Sequence, residues 1–153
     1  YFTANDSPLP VASGRNYLRP ATDLALEFLS NRSNENGFFL MIEGSQIDWG
    51  GHANDSDYII SEMIEFDKVI GQVLEFAKAD GNTLVVVTAD HETGGYAINP
   101  GSEMGSIVGA FTSDYHTAAL IPVFAYGPGA EMFSGIYENT QIHDIIKALK
   151  GFQ

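Results

Sequence analysis

Three short apolar runs, each bounded by glycine, proline or polar residues, most constrain what this chain can fold into. Residues 38–42 read Phe-Phe-Leu-Met-Ile, residues 83–88 Thr-Leu-Val-Val-Val-Thr, and residues 121–126 Ile-Pro-Val-Phe-Ala-Tyr. Continuous rather than alternating runs of this length are expected of strands covered on both faces, the parallel-sheet type. Pro122 belongs near the start of the third run or on a sheet edge, because it cannot donate to a ladder.

Between the runs the hydrophobic period changes to that of a helix. Ala21, Leu24, Ala25, Phe28 and Leu29 form one apolar stripe, which ends in the polar residues 30–36 and at Gly37. Ile59, Met63, Phe66, Ile70, Val73 and Ala77 form a longer one, with Asn54, Asp55 or Ser56 as N-cap and Asp80-Gly81 as stop. Near the end Ile142, Ile145, Ile146 and Leu149 predict a last helix capped by Asn139 or Thr140. Helix, strand, helix, strand, long loop, strand, helix is an α/β layered pattern. The reading is a single unit over residues 1–153. Residues 1–20 are an irregular segment that is either loop or packed on something outside the chain.

Composition narrows the function classes. The 153 residues carry 7 Lys+Arg against 20 Asp+Glu, a formal net charge of −13. That charge repels nucleic-acid phosphates and anionic lipid, but suits cation binding where carboxylates converge. With no cysteine, disulfide frameworks, thiolate zinc sites and cysteine nucleophiles are excluded. No run approaches the roughly 18 apolar residues of a membrane span. The chain begins at Tyr1 rather than Met, which reads as a cut or processed end.

In open α/β sheets ligands bind beyond the carboxyl ends of the strands. Beyond the first run stand Glu43, Asp48 and His52; beyond the second, Asp90, His91 and Glu92; and His116 precedes the third. Three of the four histidines therefore fall where a site is expected, and His143 reads as a solvated helix residue. Asp48 and His52, four apart, reach one ion if the segment turns helically, and adjacent Asp90-His91 grip one ion or bridge two. Carboxylate and imidazole without thiolate is the donor set of catalytic zinc, and Glu43 suits magnesium. Each residue alone has a plainer reading, as a helix pair, a loop histidine or a cap, so the joint pattern carries the weight. The loop 89–117 is longer than structureless connections usually are, which marks it for function. Ser7 and Ser56 lack the strand-to-helix setting and activating partner of a nucleophile, and no GxSxG or phosphate-binding P-loop motif is present.

These residues resemble a known family. Met41-Ile42-Glu43-Gly44-Ser45-Gln46-Ile47-Asp48-Trp49-Gly50-Gly51-His52 is similar to the metal loop of alkaline phosphatases. Thr88-Ala89-Asp90-His91-Glu92-Thr93-Gly94-Gly95 resembles their second metal segment, and His116-Thr117 with Ala125-Tyr126-Gly127-Pro128-Gly129-Ala130 their third. The resemblance implies a three-layer α/β/α fold with a mostly parallel sheet and hydrolysis of small phosphate esters through a phosphoserine. It implies that Asp48, His52 and His116 hold a first zinc, Asp90 and His91 a second, and Glu43 a magnesium. Trp49 stands where some members carry Lys or His, a departure that bears on phosphate affinity.

The resemblance also implies that the serine nucleophile, a phosphate-gripping Arg, a shared metal Asp and several central strands lie earlier in the polypeptide. This chain then corresponds to the C-terminal third to half of the enzyme. Little activity by itself, self-association of uncovered strands, a homodimeric whole enzyme and a periplasmic or secreted setting are the matching expectations. Two other readings are another enzyme of the same metal superfamily (a phosphodiesterase, a sulfatase or a phosphoglycerate mutase) and a non-catalytic metal-binding or interaction module. Ester-class comparison separates the first from a phosphomonoesterase, and loss of zinc on removing His116 separates the second.

Overall fold

A computed structural model describes residues 7–152. Its helices are α1 Leu18–Arg32, α2 Gln46–His52, α3 Ser56–Asp80 and α4 Thr140–Leu149. Its strands are short: β1 Val85–Val87, β2 Glu92–Thr93, β3 Ala97–Ile98, β4 Gly109–Ala110, β5 His116–Thr117 and β6 Phe124–Tyr126. Single 3-10 turns occupy Val11–Ser13 and Ala130–Phe133.

The long helix α3 is the spine against which α1, α2 and β1 pack. It starts where the Asp55 carboxylate accepts the Tyr58 N–H at 3.0 Å and stops at Gly81, whose φ of 74° is left-handed. Ile59, Val69 and Ala77 are buried along it. Each branched side chain so buried contributes roughly 1.5–3 kcal/mol. Met63, on the expected inner stripe, is exposed instead.

The face of α1 also differs from expectation. Thr22 and Leu26 are the buried residues, while Leu24 and Phe28 lie more than half exposed. A threonine can take the inner position because its hydroxyl donates to the Leu18 carbonyl at 2.8 Å, leaving nothing polar unpaired. Gln72 of α3 ties the two helices from the rim, accepting from Arg19 Nε at 3.1 Å and donating to Asp23 at 2.7 Å.

The described part of the irregular N-terminal segment packs on α2 and α3 of this same chain. Gln46 is 0% exposed; its amide donates to the carbonyls of Pro8 (2.9 Å) and Leu9 (3.1 Å), and its oxygen accepts from the Tyr58 hydroxyl (2.7 Å). Glu62, 2% exposed, accepts from the Val11 N–H at 2.8 Å and from Arg15 at 2.5 Å. A buried charge survives only when paired and hydrogen-bonded, and both conditions are met here.

The mostly parallel sheet is not confirmed by the ladders present. All ladders among the described residues are antiparallel and two-stranded: β1 with β6, β2 with β5, β3 with β4. Residues 38–42 have no ladder partner among the described residues. Phe38 leans on Phe76 of α3 at a ring-centroid distance of 6.4 Å, while Phe39 is 67% and Met41 78% exposed. The run is apolar on both faces yet covered on one. α3 links it to β1 as a parallel crossover would, but β1 takes β6 as its neighbour, with Val85 opposite Tyr126 and Val87 opposite Phe124. The layering of helices on strand segments stands; no parallel ladder forms among the described residues.

The loop 89–117 is ordered as two nested ribbons, β3–β4 inside β2–β5. Pro122 precedes β6 and costs its ladder nothing. In α4, Ile145 is buried as the period predicts, whereas Asn139 stands at the N-cap position without a side-chain cap bond. No described helix is long and apolar enough to cross a membrane.

Candidate metal centre

The β2–β5 ladder sets the site. Thr93 pairs with His116, and Glu92 with Thr117. Residues directly opposite share a face, and so do residues two apart on a strand. His91, Thr93 and His116 are thereby brought together. The rings of His91 and His116 stack with centroids 3.6 Å apart and planes 22° from parallel. On the opposite face the Glu92 carboxylate accepts from the Thr117 hydroxyl and from the N–H groups of Gly95 (3.0 Å) and Tyr96 (3.3 Å). One carboxylate so clamps the turn at Gly95, where φ is 58° and a Cβ would collide with the Thr112 hydroxyl.

The short helix α2 delivers the other half. Asp48 and His52 stand one turn apart, with Asp48 Oδ1 3.5 Å from His52 Nε2. Asp48 Oδ1 is 3.7 Å from His116 Nε2, and the two imidazole Nε2 atoms are 3.2 Å apart. His52 Nδ1 donates to the Asp114 carbonyl at 2.8 Å, which leaves the Nε2 lone pair of the neutral ring facing its two companions. Tyr115 stacks on His116 at 4.8 Å and meets the edge of His52 at 5.7 Å, bracing both rings.

Three donors crowded this closely fit a divalent ion. Bonds of 2.0–2.1 Å in a tetrahedron place donor atoms about 3.3 Å apart, and the observed separations bracket that value. An overlapping group, Asp48, His91 and His116, has donor atoms all within 4.8 Å of one another. His91 Nε2 faces Asp90 Oδ2 at 3.2 Å; that carboxylate is 87% exposed. Glu43, in the extended run before α2, is exposed and belongs to neither group. Trp49 is partly exposed on α2, and His143 pairs with its neighbour Asp144 on α4, in neither group. The Ser56 hydroxyl meets the Tyr96 hydroxyl at the start of α3, and Ser7 is exposed at the described N-terminus.

Thr93 and the backbone carbonyl of Asp114 join the site without a motif to mark them. Thr93 donates to Asp48 Oδ1 at 2.5 Å and lies 3.2 Å from His91 Nδ1. Strand periodicity could have found Thr93, two residues past His91; nothing local in sequence marks the Asp114 carbonyl.

Comparison with known proteins identifies the family. The family model described as alkaline phosphatase matches residues 13–110. Alkaline phosphatase 3 of Bacillus subtilis is 30% identical, the match covering 87% of this chain and 44% of that protein. The Escherichia fergusonii alkaline phosphatase is 35% identical over 89% of this chain and 32% of its own length. Among solved structures, the alkaline phosphatase from the Antarctic bacterium TAB5 superposes with a TM-score of 0.86 at 52% identity, covering 97% of this chain and 45% of that one. A magnesium-bound mutant of the TAB5 enzyme superposes with a TM-score of 0.90. The chain thus spans less than half the length of each of these relatives. Over the length it does span, it belongs to the alkaline phosphatase family.

Proposed function

We propose that this chain is the metal-holding part of an enzyme that hydrolyses phosphate monoesters through a phosphoserine intermediate. The observation that carries the reading is the convergence of Asp48 Oδ1, His52 Nε2 and His116 Nε2, at 3.5, 3.7 and 3.2 Å from one another. In this reading Asp48, His52 and His116 hold one zinc, Asp90 and His91 a second, and Glu43 a magnesium. Paired divalent ions supply positive charge to the entering and leaving oxygens of an in-line displacement. The protein's own part is placement: Asp114 and Tyr115 orient His52, and the Glu92 clamp keeps β5, with His116, against β2.

The nucleophilic serine comes from polypeptide outside this chain. Ser56 is engaged with Tyr96, and the relatives extend well beyond the matched length. The uncovered Phe39, Met41 and Phe124 support self-association of the chain by itself; a homodimeric whole enzyme in a periplasmic or secreted setting belongs to the same reading.

Elemental analysis after dialysis against trace zinc tests the metal assignment, with about one tightly held zinc expected. Activity is assayed on a phosphate monoester, a phosphodiester and a sulfate ester. The chain alone is expected to turn over none of them, and the complete enzyme to favour the monoester. Efficient zinc-dependent turnover by the chain alone would sink the reading.

A further inference from the structure

We propose that Thr93 is a positioning residue whose single hydroxyl proton fixes the tautomer of His91 and at the same time holds Asp48. The inference rests on the metal reading above, but concerns a residue with no ligand role in it.

Thr93 Oγ1 lies 2.5 Å from Asp48 Oδ1 and 3.2 Å from His91 Nδ1, and the residue is buried at 8% exposure. A threonine hydroxyl has one proton and two lone pairs, and an ionised carboxylate only accepts. The proton is therefore committed to Asp48. The contact with His91 is then a hydrogen bond only if Nδ1–H donates to Thr93 Oγ1. In the neutral ring this leaves Nε2 deprotonated, its lone pair facing Asp90 Oδ2 at 3.2 Å. Two lone-pair atoms at that distance suit a shared cation.

The chain His91 to Thr93 to Asp48 joins one member of each ligand group, His91 just before β2 and Asp48 on α2. It makes the directions of the His91 ring and the Asp48 carboxylate depend on one hydroxyl. His52 obtains the same result from the Asp114 carbonyl, so each ring has its own acceptor, one from backbone and one from a side chain. Outer partners of this kind set ligand orientation, and their loss typically costs about 10–100-fold in metal affinity.

The test uses the purified protein with Thr93→Val, which keeps the shape and removes the hydroxyl, and Thr93→Ser, which keeps the hydroxyl and removes the methyl. Nitrogen-15 spectra of the histidine rings are recorded metal-free at about pH 8, above the ordinary imidazole range, and zinc affinity is measured by competition with a chelator. The wild type and the Ser variant are expected to show His91 protonated at Nδ1. The Val variant is expected to lose that preference and to bind zinc about 10–100-fold more weakly. His91 protonated at Nε2 in the wild type overturns the proposal. So does equal loss of zinc affinity in the Ser and Val variants, which would assign the effect to packing. If the Val variant does not fold, the Ser variant decides: wild-type tautomer and affinity support the proposal, and loss of either overturns it. A wild-type protein that binds no zinc removes the metal reading, while the ring tautomer still decides the role of Thr93.

Discussion

The α-carbon of Gly51 lies against the backbone of Thr93: a Cβ built on it would be 2.7 Å from the Thr93 carbonyl oxygen and 2.9 Å from the Thr93 Cβ. This approach seats α2 on β2, and it joins the carboxylate and imidazole of one motif to those of the other. Residues 42 apart in sequence form one site because a glycine permits two backbones to touch.

Gly51→Ala is therefore expected to push α2 off β2. Overpacking of this kind costs roughly 1–3 kcal/mol, and zinc affinity should fall with it, because Asp48 and His52 move away from His116. Gly71→Ala is the control. Its added Cβ meets nothing within 4 Å in the interior of α3, so replacing glycine there should stabilise by roughly 0.5–1 kcal/mol. Urea midpoints and chelator competition on both variants check the pair. Equal behaviour of the two would mean that the contact does not set the site.

Histidines in and out of the centre should separate cleanly. His116→Ala removes a donor shared by both overlapping groups. Zinc affinity is expected to fall by more than the about 10–100-fold typical of changing an outer partner. His143→Ala, which removes an exposed partner of Asp144, should leave zinc binding unchanged. Retention of one zinc by the His116 variant would move the first ion elsewhere.

How much of this was legible in sequence follows from the range of each interaction. The candidate ligands Asp48, His52, Asp90, His91 and His116 stand out in sequence because strand ends gather ligands and because their motifs are long. The cap at Asp55 and the stop at Gly81 were readable because capping is local. Helix faces were not. α1 carries Leu24 and Phe28 on one side and Leu26 on another, so periodicity admits two orientations, and a satisfied Thr22 hydroxyl decided between them. Strand pairing is not legible either, because an apolar run states that a strand can be covered, not what pairs with it. The hydrogen bonds of Gln46 with Tyr58, and of Glu62 with Arg15 and Val11, carry no local signal. Their partners lie 12 to 51 residues apart, and no single member looks unusual.

Arg15 and Glu62 are expected to behave as a unit. Arg15→Ala strands a carboxylate that is 2% exposed, and breaking one side of a buried pair typically costs about 3–5 kcal/mol. Replacing both by Met and Leu should recover much of the loss, since an apolar pair carries no desolvation penalty. Denaturant midpoints of the single and double variants decide. A single variant within about 0.5 kcal/mol of wild type, the range of ordinary surface changes, would mean that the pair is not buried in solution.

The last expectation concerns alkaline conditions. Burial first, then the Glu62 carboxylate, push the Tyr58 phenol above its ordinary value, with Arg15 opposing. A group whose folded pKa is raised stays protonated in the folded chain after the unfolded chain has lost the proton. Its contribution to stability is present below about pH 10, the ordinary tyrosine value, and is lost as pH rises through the folded pKa. Tyr58→Phe removes that titration along with the hydrogen bond to Gln46 Oε1. Leaving that buried oxygen unpaired lowers stability at pH 8 by about 1–3 kcal/mol, but the decline above about pH 10 should be shallower than in the wild type. Lys78, raised chiefly by its hydrogen bond to Glu75, titrates in both proteins and cancels from the comparison. Urea midpoints of the two proteins, measured from about pH 8 to about pH 11 across the tyrosine range, should converge. Parallel curves would show that Tyr58 ionises alike in the folded and unfolded chain, and that burial beside Glu62 does not hold the phenol protonated.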